Sequence, residues 1–288
     1  MLTVLAPAKI NLTLEVLSKR GDGFHEIRSV FQTINLADSI CFQPGQSIAF
    51  KCNLTSWTPE ESLVSKAASL LQEATGCSKG VTIEVCKRIP LVSGLGGDSS
   101  DAAAVLRGLN QFWELGLSPG ELLEMASQLG SDVAFFLYGG TALVEGKGEI
   151  VSTLPSLPHR WVVLAIPPVP RLPGKTKQLY SSLRAGHYTD GQITQRLVEE
   201  LREGKEFTPS LLFNTFENVA FTRFSTIRVS RDHIVKIGAT DVHLAGSGPS
   251  LFTLVEDKAQ AEVLRTRFEQ QRLESYLTDT LTTMEKVE

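Results

Sequence analysis

Pro90-Leu91-Val92-Ser93-Gly94-Leu95-Gly96-Gly97-Asp98-Ser99-Ser100-Asp101-Ala102-Ala103-Ala104 is the stretch on which the reading of this chain turns. Three glycines and a run of hydroxyl and carboxylate side chains lead straight into a small-residue helix. Glycines without Cβ let backbone N–H groups come close to an anion, and a helix N-terminus adds unpaired donors and the positive end of a dipole. Serine hydroxyls add donors to phosphate oxygens or can ligate a metal. The composition suits a polyphosphate cradle running from Pro90 to Ser100. A plain tight turn, with Ser100 or Asp101 capping the following helix, is the structural alternative.

Two familiar phosphate fingerprints fail here. The dinucleotide pattern begins at Gly94 and Gly96 but meets Ser99 where its third glycine belongs. Gly174-Lys175-Thr176 resembles the end of a Walker A loop, but Val169 occupies the position of its first glycine. That tripeptide also follows a stretch broken by Pro167, Pro168, Pro170 and Pro173, which reads as loop and not as a strand-to-helix junction.

The 288 residues are enough for one large domain or two modest ones, and 42% hydrophobic with 21% charged residues is ordinary globular composition. A net charge of −4 gives no general attraction to nucleic acid or to an acidic membrane, so a phosphorylated ligand must be met by local donors. Cys41, Cys52, Cys77 and Cys86 have no metal-ligand spacing and read as reduced thiols, which suits the cytoplasm. The Met1–Ala8 start lacks the basic flank and length of a signal peptide, and no apolar run is long enough to span a membrane.

Alternation predicts strands over Thr3–Leu17, Phe24–Leu36, Val81–Lys87, Trp161–Ile166 and Leu251–Val255, with two more between Gly139 and the prolines at 155–158. Helical spacing predicts helices over Glu60–Ala74, from Ala102 to Trp113, Thr194–Arg202, Glu217–Ile227 and Ala259–Gln271. Ser118-Pro119-Gly120-Glu121 is a capping box, and Gly130 ends the helix it starts. The expected architecture is a two-lobed α+β chain divided near residue 155.

Three separated signals need one explanation: Pro7-Ala8-Lys9-Ile10-Asn11-Leu12, the 90–100 loop, and Ala245-Gly246-Ser247-Gly248-Pro249-Ser250. In this order they resemble the three motifs of the GHMP kinase superfamily, across nearly the whole chain. Gly23-Phe24-His25-Glu26 and Gly130-Ser131-Asp132-Val133 bring the resemblance closest to its branch acting on 4-diphosphocytidyl-2-C-methyl-D-erythritol. The resemblance implies an N-terminal lobe over 1–154 like the second domain of ribosomal protein S5, and a ferredoxin-like lobe over 155–288. It also implies ATP, Mg²⁺ and a small cytidyl substrate as ligands. The S5-like lobe would suggest nucleic acid, but the net charge of −4 and the lack of a dense Lys/Arg stripe argue against it. No apolar span argues for a membrane, and a monomer or homodimer is expected.

Roles follow residue by residue from that match. Asp132 would orient or deprotonate the acceptor hydroxyl, and Lys9 would stabilise developing alkoxide charge. Asn11 lies on the same side of a strand as Lys9 and would reach the substrate. His25 would read the cytosine edge, beside Phe24, which stands where the family often has tyrosine. Asp98 occupies a position where the family often has glycine, so its carboxylate would face away or approach Mg²⁺; no direct metal ligand is assigned. Gly246, Ser247 and Gly248 would bring the second lobe close to substrate phosphates or to the first loop, a tight structural turn being the alternative. The region from Cys52 to Glu61 is a candidate wall for adenine, and no stacking aromatic is recognisable over 167–176.

Overall fold

The computed structural model describes residues 1–170 and 174–283; Pro173, counted above among the interrupting prolines, lies outside them. The chain runs β1 (Leu2–Lys19), β2 (His25–Gly45), β3 (Ile48–Cys52), α1 (Leu63–Thr75), β4 (Gly80–Cys86), α2 (Gly97–Phe112), α3 (Pro119–Leu129), α4 (Phe135–Tyr138), β5 (Thr141–Gly146) and β6 (Ile150–Thr153). It continues with β7 (Trp161–Ile166), α5 (Lys175–Ser182), α6 (Gln192–Arg202), β8 (Phe213–Asn214), α7 (Glu217–Arg223), α8 (Ser225–Lys236), β9 (His243–Leu244), β10 (Leu251–Val255), α9 (Lys258–Gln270) and β11 (Glu274–Asp279).

β1 and β2 form one long antiparallel ribbon closed by the turn at Gly21–Gly23. Its far half pairs with β4 and its near half with β5, giving a sheet of order β3-β4-β2-β1-β8 with β5 and β6 branching from β2. The second sheet has the order β11-β7-β10-β9. This is the expected α+β architecture of two sheets with helices against them.

An irregularity in the pairing of β1 with β2 places the first motif. The register with β2 shifts at Pro7/Ala8 and again between Asn11 and Thr13. Pro7 has no N–H to give to the ladder, which suits a bulge. Before it, Leu2, Val4 and Ala6 pack with α1 and α2; after it, Ala8, Ile10 and Leu12 pack into a different core beneath the second sheet. At the first shift β2 carries Asn35 and Leu36 between the partners of Pro7 and Ala8, and the even positions of β1 change face there. Lys9 and Asn11 turn toward the helical side, where Lys9 Nζ lies 4.2 Å from the centre of the Phe31 ring.

α2 carries Ala102, Ala103 and Ala104 so that it can lie close on the sheet, and Gly108 sits against the Phe42 ring with no room for a Cβ. The Ser118–Glu121 capping box is present as expected. The helix expected over Glu217–Ile227 is instead two, because Phe224 leaves the helical region at φ −119°, ψ 81°. The Gly-Lys-Thr tripeptide also departs from expectation: Gly174 is the N-cap of α5, so it does open a helix after strand β7. Propensity misled there because Pro167, Pro168 and Pro170 precede the helix and do not interrupt it. No helix among the described residues is long and apolar enough to cross a membrane.

Candidate active site

The glycine loop ends as an uncapped helix N-terminus. Gly96 is the N-cap of α2 in the left-handed region (φ +76°) and has no side-chain oxygen to satisfy the first-turn N–H groups. A Cβ there would lie 2.8 Å from the Phe136 ring and 3.1 Å from Lys9 Cγ, so only glycine fits on both counts. Ser100 and Asp101 are not the caps. The helix starts earlier, at Gly97, and both side chains turn inward. Ser100 Oγ donates to the Pro7 carbonyl at 2.7 Å, and Asp101 lies 2.6 Å from Lys87 Nζ. The donors of Gly97, Asp98 and Ser99 are left facing a cavity lined by Pro90–Gly94 and Gly96–Ser99.

Beneath the loop is a buried ion triad. Lys87 Nζ lies 2.6 Å from Asp38 Oδ2 and 2.6 Å from Asp101 Oδ2, all three side chains fully inaccessible. Asp38 also accepts N–H donors from Arg88 and Ile89, at the point where β4 passes into the loop. Burial alone would lower the Lys87 pKa, but the two carboxylates hold it above its ordinary value. Burial pushes Asp101 up, against the pull of Lys87. The triad ties the start of the loop to the first turns of α2. Asp98 leans toward it, 3.7 Å from Lys87 Nζ, while remaining 61% exposed.

The third motif packs on the first loop. Gly94 (φ +87°) sits so close to the 245–248 turn that a Cβ would collide with the Ala245 carbonyl, and a Cβ on Gly246 (φ +54°) would lie 2.9 Å from the Gly94 oxygen. Asn214 Nδ2 donates to the carbonyls of Leu244 and Gly246 and fixes the turn. Ser247 hydrogen-bonds Thr176 at 2.8 Å.

Lys9 stands between these glycines. Its backbone N–H donates to Leu95 O at 2.9 Å, and its Nζ donates to Asn11 Oδ1 at 2.9 Å. Nζ also lies 3.5 Å from Asp132 Oδ2, which a short turn after α3 presents to the same space. Lys9 is buried and Asp132 about one-third exposed (34%). Desolvation lowers the Lys9 pKa, and Asp132 partly restores it.

On the other side of Asp132 is a cavity of about 810 Å³ lined by Phe24, His25, Ser131, Lys147, Thr176 and Tyr180 among others. His25 is buried at the start of β2 and stacks on Tyr180, ring centroids 4.8 Å apart at 25°. Burial, with a contribution from Lys19, lowers the His25 pKa and favours neutral imidazole. Phe24 is half exposed, held by Asp22 Oδ1 through its N–H and by Lys147 over its ring at 4.9 Å.

The geometry thus joins an uncapped, glycine-lined helix N-terminus to a lysine–aspartate pair and an aromatic-walled cavity. A GHMP kinase N-terminal domain model matches residues 62–140. A 4-diphosphocytidyl-2-C-methyl-D-erythritol kinase of Dehalococcoides mccartyi is 47% identical over 281 residues, 98% of this chain and 99% of its own. One from Geobacillus thermodenitrificans is 40% identical over 91% of this chain and 90% of its own. This chain belongs to the 4-diphosphocytidyl-2-C-methyl-D-erythritol kinase family.

A crystal structure of a kinase of that name superposes with a TM-score of 0.82 at 33% identity, covering 96% of this chain and 98% of the other. A homoserine kinase from Cytophaga hutchinsonii gives a TM-score of 0.67 at 19% identity over 99% of this chain and 95% of its own, a likeness of fold alone. Within the family site, sequence reasoning missed Tyr180. Its signal was available: Tyr180 follows Thr176 by one helical turn of α5, so both face the same cavity. Reading the stretch as broken by proline hid that helix.

Proposed function

We propose that this chain transfers the γ-phosphoryl group of ATP to the tertiary 2-hydroxyl of 4-diphosphocytidyl-2-C-methyl-D-erythritol, in the non-mevalonate route to isoprenoid precursors. The observation that carries this is the position of the Lys9–Asp132 pair, between the uncapped α2 terminus and the His25–Tyr180 cavity. Its division is into an ATP-binding lobe over 1–154 and a second lobe over 155–288, in the cytoplasm, where the four free cysteines suit a reducing compartment.

In this reading the segment 90–100 receives the nucleotide phosphates through the first-turn N–H groups and the dipole of α2. The acceptor hydroxyl attacks the γ-phosphorus while the bond to the β,γ-bridging oxygen breaks, leaving ADP. Asp132 takes the hydroxyl proton. Lys9, desolvated and oriented by Asn11, stabilises the charge that develops on the attacking oxygen. Low local dielectric strengthens that interaction.

Neutral His25 offers one donor and one acceptor to the cytosine edge, against the ring surfaces of Tyr180 and Phe24. Gly246, Ser247 and Gly248 hold the second lobe against the loop and complete the wall near Asn11. Mg²⁺ supplies charge neutralisation of the phosphates when bound with the nucleotide. No three His, Cys, Asp or Glu side chains cluster as a cation cage among the described residues. The exposed Asp98 carboxylate and the Ser99 hydroxyl, both lining the loop cavity, are the groups that would hold the cation alongside phosphate oxygens. D132N tests the reading: turnover falls by about 10²–10⁴-fold while nucleotide binding persists. Undiminished turnover removes Asp132 from the mechanism.

A further inference from the structure

Lys175 has no place in the chemistry above, yet it is 4% exposed. It is the middle residue of the Gly-Lys-Thr tripeptide and opens α5. Gly174 and Thr176 line the His25 cavity, whereas Lys175 lines a separate cavity of about 410 Å³ with Lys87–Ser93, Pro249 and Tyr276. Its Nζ donates to the Val92 carbonyl at 3.2 Å and to the Gly248 carbonyl. No carboxylate lies within ion-pair distance of it among the described residues, although Lys9 and Lys87 both have one. A buried ammonium held only by carbonyls is costly to desolvate, and its pKa is lowered to about 8 by burial.

The residue it holds is itself strained. Val92 sits at φ +57°, where a β-branched side chain is a steric outlier. Val92 is 51% exposed, so core packing does not enforce that conformation. Hydrogen bonds from the second lobe do: Lys175 takes the Val92 carbonyl, and the Ser250 N–H takes the Ser93 carbonyl at 3.1 Å. The next residue is Gly94, where the loop meets the 245–248 turn.

We propose that Lys175 is a positioning residue for nucleotide binding: from the second lobe it fixes Val92, and through Val92 the 90–94 segment, in the shape that receives a polyphosphate. This rests on the reading of the 90–100 loop as the ATP site. Loss of the anchor leaves Val92 free to return to negative φ, which draws the loop out of register with the α2 terminus. Glycine at position 92 adopts positive φ without strain and needs no anchor.

The test is calorimetric titration with a non-hydrolysable ATP analogue and Mg²⁺, with no acceptor present, on the unmodified chain, K175M, V92G and the V92G/K175M double variant. K175M is expected to weaken binding about 10- to 100-fold, the loss of hydrogen bonds from a charged donor. The double variant is expected to bind within about threefold of V92G alone, because the anchor no longer matters. In turnover, K175M is expected to raise KM for ATP while leaving KM for the acceptor alone. Equal binding by K175M and the unmodified chain overturns the proposal. So does a loss that V92G fails to relieve, which would assign the effect to the lysine charge itself. K175Q takes the place of K175M in the same comparison if the methionine variant does not fold. Failure of the unmodified chain to bind the analogue at all would instead overturn the reading of the loop.

Discussion

Lys9 Nζ stands 3.5 Å from Asp132 Oδ2, with a single hydrogen bond to Asn11 as its only other polar side-chain contact among the described residues. The pair is asymmetric. The lysine is buried beside Phe31, and the aspartate opens toward the His25 cavity. An acceptor hydroxyl entering from that cavity meets the carboxylate first and has the ammonium behind it. K9M is expected to lower kcat by about 10²–10³-fold, comparable to removing one preorganised donor to a developing oxyanion. Nucleotide affinity should change little, because Lys9 is not among the N–H donors of the loop. A K9M enzyme with near-normal kcat would contradict the role.

The Asp38–Lys87–Asp101 triad makes a stability prediction separate from chemistry. K87M leaves two buried carboxylates without a counter-charge. Breaking such a group from one side costs about 3–5 kcal/mol, which urea unfolding reads directly. D38A should also loosen the start of the loop, since it removes the acceptor of the Arg88 and Ile89 N–H groups. A loss below about 1 kcal/mol for K87M would mean that the triad does not hold the loop to α2.

Gly94 is constrained twice, by φ +87° and by the Ala245 carbonyl against it. G94A is therefore expected to lower stability by roughly 1–3 kcal/mol and to displace the 245–248 turn from the loop. Nucleotide binding should weaken more than cytidyl-substrate binding. Wild-type nucleotide affinity in G94A would show that the contact between the two motifs is dispensable.

Stacked on Tyr180, His25 titrates below its ordinary 6.5 because burial disfavours the cation. The folded chain then binds fewer protons than the unfolded chain in that window, so this group contributes stability that is lost as pH falls. Acceptor binding should be flat above neutrality and weaken only in the acidic range, with the imidazole followed by NMR. Y180L is expected to raise KM for the cytidyl substrate by up to about tenfold, the worth of an aromatic contact. An imidazole titrating above 6.5 would remove the basis for neutral base recognition.

Much of this site was legible from local rules. Glycines at 94, 96 and 97 before a run of alanines announced a helix entered by a bare N-terminus, and Lys9 and Asn11 two apart in a strand shared a face. The start of α2 was misjudged because Ser100 and Asp101 are good caps in isolation, and only tertiary partners, Pro7 and Lys87, explain why they turn inward. Which face of β1 carried Lys9 depended on the Pro7/Ala8 bulge, and a bulge is a property of the strand pair. Tyr180 and Lys175 were hidden by the same proline-marked segment. Prolines report where a helix is absent, but not where it begins.

The most direct measurement is release of ADP from Mg-ATP by the purified chain, with 4-diphosphocytidyl-2-C-methyl-D-erythritol, homoserine and mevalonate offered separately. The account predicts release with the cytidyl substrate alone, lowered about 10²–10⁴-fold in D132N. Release with homoserine or mevalonate and none with the cytidyl compound would contradict it, because the His25–Tyr180 cavity would then serve no base.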